Sequence, residues 1–206
     1  MRYRQGHKAQ TRQRILREAS QRLRSEGIGR LAIDDLMRRL DLTHGGFYAH
    51  FASKDALVAE ACAQEFTPEE AEIIVGPADA LAEDALASLI SHYLSARHRD
   101  RPEMGCYLPA LAGEMAHASP VTRQTFTRAF QRYVARVAQR LPGETPQART
   151  DTALVLLSAM AGAVAVSRAL DAPALSEHLL VVCRTFYSRA FAADGTRAQQ
   201  ERKDHA

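Results

Sequence analysis

The chain has 206 residues, 46% hydrophobic and 25% charged, the balance of an ordinary globular protein with ample length for a buried core. It has no run of about 18 apolar residues and no apolar stretch behind its basic N-terminus, so neither a membrane span nor a secretory leader is expected, and the cytoplasm is the expected location. The net charge of +3 is uneven: residues 1–54 hold 12 Lys/Arg against 5 Asp/Glu, and the remainder holds 15 against 19. A basic N-terminal quarter on an acidic body suits a phosphate-binding module joined to something that avoids phosphate.

The pattern predicts helices throughout. Alternating β-branched runs are absent, and glycine and proline fall between periodic segments. A first helix is expected over about 8–25, with Ile15, Leu16, Ala19 and Leu23 as its apolar stripe and Gly27 as a left-handed cap. A short second helix follows over 33–40, with Leu36 and Leu40 inward and Asp34 and Asp35 at its N-terminus. Asp41-Leu42 makes a tight turn. Thr43 then caps a third helix through His50, and Ser53 caps a fourth. The fourth carries Leu57, Val58, Ala61, Cys62 and Phe66, and it links to the body through about residue 75. Two short helices joined by a tight turn and braced by a longer one form a helix-turn-helix.

Beyond Pro77 the helices lengthen and become alanine-rich. They are expected over 78–99, 105–117, 120–141, 146–170 and 174–192, with breaks at prolines. The polar tail 194–206 is expected to be disordered. The fold class is therefore all-α. A three-helix helix-turn-helix domain is expected over 1–54, and a second helical domain over 76–193.

The third helix carries the most chemistry. Phe47 and Phe51, four apart, share its inner face. The outer face offers Thr43, His44, Gly45, Tyr48 and, near its end, His50. Gly45 and Gly46 let the backbone approach a groove closely, although each costs about 1 kcal/mol in a helix interior. The Tyr48 hydroxyl suits a phosphate. Lys54 stands at a helix N-terminus, where backbone amides already favour an anion.

With these residues in this order the sequence resembles the TetR family of bacterial transcriptional regulators. The resemblance covers about 9–62. It rests on Thr11-Arg12-Gln-Arg14-Ile15-Leu16, Gly27, Ile33, Leu36, Leu42 to Phe51, and Ser53-Lys54-Asp55-Ala-Leu57. It implies that Thr43, His44, Gly45, Tyr48, His50 and Lys54 contact DNA, with Tyr48 and Lys54 on phosphates and Thr43, His44 and Gly45 facing the groove. The chain departs from the family at Ala32, where a capping, phosphate-touching threonine is common. Losing that cap costs about 1 kcal/mol. Arg2, Arg4 and Lys8 would compensate as a basic arm.

The resemblance also implies a homodimer paired through the last two helices. Their apolar runs are Leu154, Val155, Leu157, Ala161, Val164 and Ala165, then Leu179, Val182, Cys183, Phe186 and Ala190. A two-fold dimer reads a pseudo-palindromic duplex. An effector pocket is implied within about 78–170. Candidate walls are Met104, Cys106, Tyr107, Met115 and Met160, with His92, Tyr93 and Glu114 as polar contacts.

Cys106 has two readings. A thiol inside a helix start, preceded by Arg99 and Arg101, would be activated toward electrophiles, and Gly105-Cys106 is similar to the thiol sensors of some relatives. Otherwise it is an inert pocket residue. Cys62 and Cys183 fall on apolar stripes, and so few, widely spaced cysteines exclude a disulfide framework or zinc knuckle. No phosphate loop, HExxH, GxSxG or spaced acid cluster is present. An enzyme with an accessory DNA-binding module is thus the remote alternative, and no cofactor or metal is expected.

Overall fold

The computed structural model describes the backbone of residues 2–64, 66–76 and 85–204, and side chains within 7–191 of those ranges. In chain order the helices are α1 (Arg2–Arg30), α2 (Ile33–Arg39), α3 (His44–Phe47), α4 (Lys54–Ala63), α5 (Pro68–Val75) and α6 (Ala85–Tyr93). There follow α7 (Ala96–Asp100), a 3-10 turn (Pro102–Met104), α8 (Leu108–Met115), α9 (Pro120–Ala138), α10 (Pro146–Ala169) and α11 (Pro173–Asp204). No strand occurs among the described residues, as the all-α reading expects.

The chain divides into two compact units, one of residues 1–65 with 102–129 and the other of 66–101 with 130–206. The first unit is therefore not contiguous in sequence. A central segment far down the chain packs with the N-terminal helices, which boundaries drawn from composition do not anticipate.

In the first unit α1 is the central strut, packing on α2, α4, the 3-10 turn and α8. The expected stripe of Ile15, Leu16, Ala19 and Leu23 is buried, together with Leu31, Leu36, Met37, Phe47, Phe51, Leu57 and Val58. Leu40, expected inward, is only half-buried because it is the C-cap of α2, and Met37 fills the core instead.

Gly27 is not a left-handed cap. Its φ of 81° and ψ of 175° lie in a region essentially open to glycine alone. The helix breaks there and resumes for one turn. The two amides freed by the break, Ile28 N–H and Gly29 N–H, donate to the Glu114 carboxylate of α8 at 3.1 and 2.9 Å. A side chain on Gly27 would meet the same carboxylate at 2.2 Å.

The second unit is built from α5, α6, α7, the second half of α9, α10 and α11, with α10 against α11 and α7, and α6 against α5 and α11. Three expectations are corrected here. The linking helix 54–75 is two helices, since α4 ends at Ala63 and Thr67-Pro68-Glu69-Glu70 starts α5 as a capping box. Phe66 therefore leaves the α4 stripe and packs edge-on to Tyr133, with ring centroids 5.6 Å apart.

The helix expected over 78–99 ends at Tyr93. The Ser95 hydroxyl donates to His92 O and accepts from His98 N–H, starting α7. The beginning of that expected helix lies outside the described residues. The third correction concerns the tail: α11 continues helically to Asp204 through the segment expected to be disordered. Its Ala, Arg, Gln, Glu and Lys content is that of good helix formers.

A part-buried polar junction ties α7 to α10 and α11. The Arg168 guanidinium donates to His98 O at 2.6 Å and Arg99 O at 3.0 Å, and Arg99 reaches Ser176 and Glu177. Helix α10 is long and apolar enough to cross a membrane by composition. It is nevertheless a packed helix, with Ala153, Leu156, Leu157, Met160, Ala163 and Val164 buried.

Candidate nucleic-acid interface

The turn between α2 and α3 is a Schellman motif. Leu42 N–H donates to Met37 O at 2.9 Å and Asp41 N–H to Arg38 O at 3.1 Å. The motif places Asp41 at φ 57°, which an aspartate tolerates better than most side chains. Arg14 of α1 donates to Leu40 O and secures the same end. At the other end of α2, Ala32 makes no side-chain cap, as its methyl group requires.

Thr43 caps α3, its hydroxyl accepting from Gly46 N–H at 3.2 Å. The α-helix lasts one turn, to Phe47, where the sequence reading ran it to His50. Two glycines weaken its middle, and the chain finishes in tighter bonds such as His50 N–H to Phe47 O at 2.9 Å.

Phe47 and Phe51 stack behind the turn, 5.6 Å apart, and Arg12 lies over the Phe51 ring at 4.6 Å. The Arg12 guanidinium also grips Glu60 of α4 at 2.5 Å and donates to His50 O. Arg12, which the sequence presents only as part of the run that opens α1, thus joins α1, the end of the α3 turn and α4. No signal in the local pattern marks it, because its partners are 38 and 48 residues away.

The candidate DNA residues do not all face one way. Thr43, His44, Gly45 and Tyr48 are exposed together, Tyr48 by 58%. A side chain on Gly45 would meet nothing within 4 Å, so no packing inside the chain explains the glycine. At Gly46 an added side chain would instead crowd the Thr43 hydroxyl at 3.3 Å and lie 3.8 Å from Met37, so the glycine keeps the cap clear.

His50 is half-buried. Its Nδ1 has no hydrogen-bond partner among the described residues, and burial together with Lys8 and Arg12 holds the ring below the usual imidazole range. Lys54 is half-buried at the first position of α4, capped by Ser53, whose hydroxyl accepts from Ala56 N–H at 3.1 Å. His44 carries a contact that sequence reasoning missed: its Nδ1 lies 2.5 Å from Asp34 Oδ1. The side chains of Arg2 and Arg4, the expected basic arm, lie outside the described residues.

The candidate effector residues are split. Met104, Cys106, Tyr107 and Glu114 belong to the first unit, and Tyr93 and Met160 to the second. Tyr93, Cys106, Tyr107 and Met160 are buried, Met104 is half-buried, and Glu114 is engaged by the Gly27 break. Cys106 is wholly buried and precedes α8 rather than starting it. Its sulfur accepts from Leu108 N–H at 3.5 Å. The Arg99 charge invoked for activating it is held by Asp100 and Glu177. Cys62 is buried, and burial pushes its thiol up to about 12. Among the described residues no His/Cys/Asp/Glu group is arranged to hold a metal ion.

Comparison with known proteins fits this geometry. Residues 15–61 match the family model for bacterial regulatory proteins of the tetR family. Residues 82–177 match that for the C-terminal domain of LmrA/YxaF-like transcriptional regulators. No curated protein matches the chain significantly by sequence.

Solved structures share the fold. One is Escherichia coli NemR in its reduced form, with TM-score 0.68, 17% identity and coverage of 87% of this chain and 96% of that one. Another is a TetR regulator from Chloroflexus aurantiacus, with TM-score 0.66, 22% identity and coverage of 91% and 97%. A third is a TetR-family regulator from Streptomyces coelicolor, with TM-score 0.61, 20% identity and coverage of 90% and 96%.

Proposed function

The chain belongs to the TetR family of bacterial transcriptional regulators, and from that premise we propose that it is a cytoplasmic, homodimeric repressor that leaves a pseudo-palindromic operator when a small molecule binds its body. The observation that carries the reading is the face of α3. Thr43, His44, Gly45 and Tyr48 stand exposed together, over an aromatic pair that fixes the turn, with Lys54 at the next helix start. That face holds groups for reading base edges and gripping phosphates, and none arranged for catalysis.

Two copies would pair through the outer side of α10 and α11. Leu154, Val155 and Val166 on the first and Leu175, Val182 and Phe186 on the second are exposed apolar residues. Gly162 adds a point where nothing lies within 4 Å of its missing side chain. Leu157 and Val164, grouped with that run from the sequence, are fully buried in their own chain and belong to its core. An effector acts by binding the DNA-incompetent state more tightly than the competent one.

The test is fluorescence anisotropy on the DNA upstream of the protein's own gene. Wild type should bind it selectively. Lys54→Ala and Tyr48→Ala should each weaken binding about tenfold, Lys54→Ala with a shallower salt dependence. Sequence-independent binding that ignores both substitutions sinks the reading.

A second reading is favoured by one contact. The Leu108 amide donates to the Cys106 sulfur and would stabilise a thiolate there, making oxidation or alkylation the releasing event. Complete burial opposes attack, so the first reading is preferred. DNA release by an electrophile that is identical in wild type and Cys106→Ser removes the thiol from the mechanism.

A further inference from the structure

The basic N-terminal quarter contains five acids, and their partners differ in kind. Glu26 pairs with Arg22, Asp35 with Arg38, and Glu18 lies 3.9 Å from Arg39. Asp41 occupies the turn. Asp34 alone among them reaches a residue of the recognition face, with its Oδ1 2.5 Å from His44 Nδ1. Both side chains are exposed, so the contact contributes little to stability. An exposed carboxylate beside a groove-facing helix also works against a polyanion. Its useful consequence lies in the imidazole.

An ionised carboxylate oxygen only accepts hydrogen bonds, so His44 Nδ1 carries the proton of this contact. In the neutral ring Nε2 is then a bare acceptor. Without a partner on Nδ1, a neutral imidazole prefers the other tautomer and Nε2 becomes a donor. The Tyr48 ring stands edge-on to His44, centroids 5.7 Å apart, and limits how the imidazole can turn. The neighbouring Asp35 is taken by Arg38, which leaves Asp34 as the carboxylate that sets the tautomer.

We propose that Asp34 is a positioning residue for base recognition: by holding the Nδ1 proton of His44 it presents Nε2 to the major groove as an acceptor, selecting a base with an exocyclic amino group, adenine N6 or cytosine N4. Guanine and thymine offer acceptors at the corresponding edge and are disfavoured. This inference rests on the reading of α3 as the groove-facing element.

The test has two arms on the full-length dimer. The first is long-range 15N NMR of histidine-labelled protein without DNA in alkaline buffer, well above the ordinary imidazole range. His44 is expected as the Nδ1–H tautomer in wild type and Asp34→Glu, and as the Nε2–H tautomer in Asp34→Ala, with the melting temperature little changed. The second arm is selection from a randomised duplex pool. Wild type should enrich adenine or cytosine at one position per half-site. Asp34→Ala and His44→Ala should lose that preference by about five- to tenfold and leave the rest of the site unaltered.

An Nε2–H tautomer in wild type overturns the proposal, as does an unchanged base preference in Asp34→Ala. If the tautomers behave as expected but wild type selects no sequence, the fault lies with the DNA-binding reading, and the proposal falls with it.

Discussion

At the scale of single residues, backbone geometry and burial say more than residue type. Asp41 sits at φ 57° because the Schellman motif needs a left-handed residue there, and any side chain at that angle carries strain. Asp41→Gly should stabilise the protein by up to about 1 kcal/mol in urea denaturation, with operator affinity unchanged. A loss of stability would show that the carboxylate makes a contact worth more than the strain it bears. Cys106 teaches the same lesson. Its neighbours in sequence suggest an activated thiol, but the chain buries it completely and engages Arg99 elsewhere.

At the scale of elements, helix ends carry the organisation. Thr43, Ser53, Thr67, Ser95 and Thr145 each cap a helix through the side-chain oxygen, and each is readable from sequence. The break at Gly27 is capped differently, by a carboxylate 85 or more residues away that takes two backbone amides. Glu114→Ala should cost about 1–3 kcal/mol by leaving those amides unpaired. Glu114→Gln, which keeps an acceptor, should cost less. Equal stability of the alanine variant and wild type in chemical denaturation would mean that water satisfies the amides as well. Because Glu114 joins α8 to the end of α1, it serves the architecture of the DNA-binding unit, whatever its relation to an effector.

At the scale of the whole molecule, two further outcomes follow. Val155→Asp and Phe186→Asp place charge on the apolar outer face of α10 and α11. Each is expected to yield folded monomers by analytical ultracentrifugation, with operator binding weakened at least tenfold because one half-site alone is read. A dimer of unaltered stability would place the interface elsewhere.

The second outcome is a dependence of stability on acid. His98 is fully buried between Tyr93 and Arg168, and desolvation lowers its imidazole from 6.5 to about 4. A base held neutral in the folded state binds its proton first in the unfolded chain. Stability is therefore complete above pH 6.5 and falls as pH drops from 6.5 to 4, by about 3 kcal/mol. His50, shifted in the same direction, adds to the slope. His98→Asn should flatten the profile of unfolding free energy over that window, and an unaltered slope would assign the dependence to other groups.

The sequence by itself determined what is local: the all-helical class, most helix starts, and the helix-turn-helix with Phe47 and Phe51 behind and Tyr48 in front. Those features depend on caps, 3.6-residue periodicity and proline placement, all carried within a few residues. Its helix limits failed where a cap was overlooked, at Thr67 and Ser95, although both signals were present. Tertiary structure alone decided which residues share a unit, since 102–129 packs with the N-terminal helices across the 36 intervening residues 66–101. It alone assigned Arg12 to Glu60, Glu114 to the Gly27 break and Asp34 to His44. Polar side chains reach partners through space, and no periodicity in the chain encodes a contact between residues 10 to 86 positions apart.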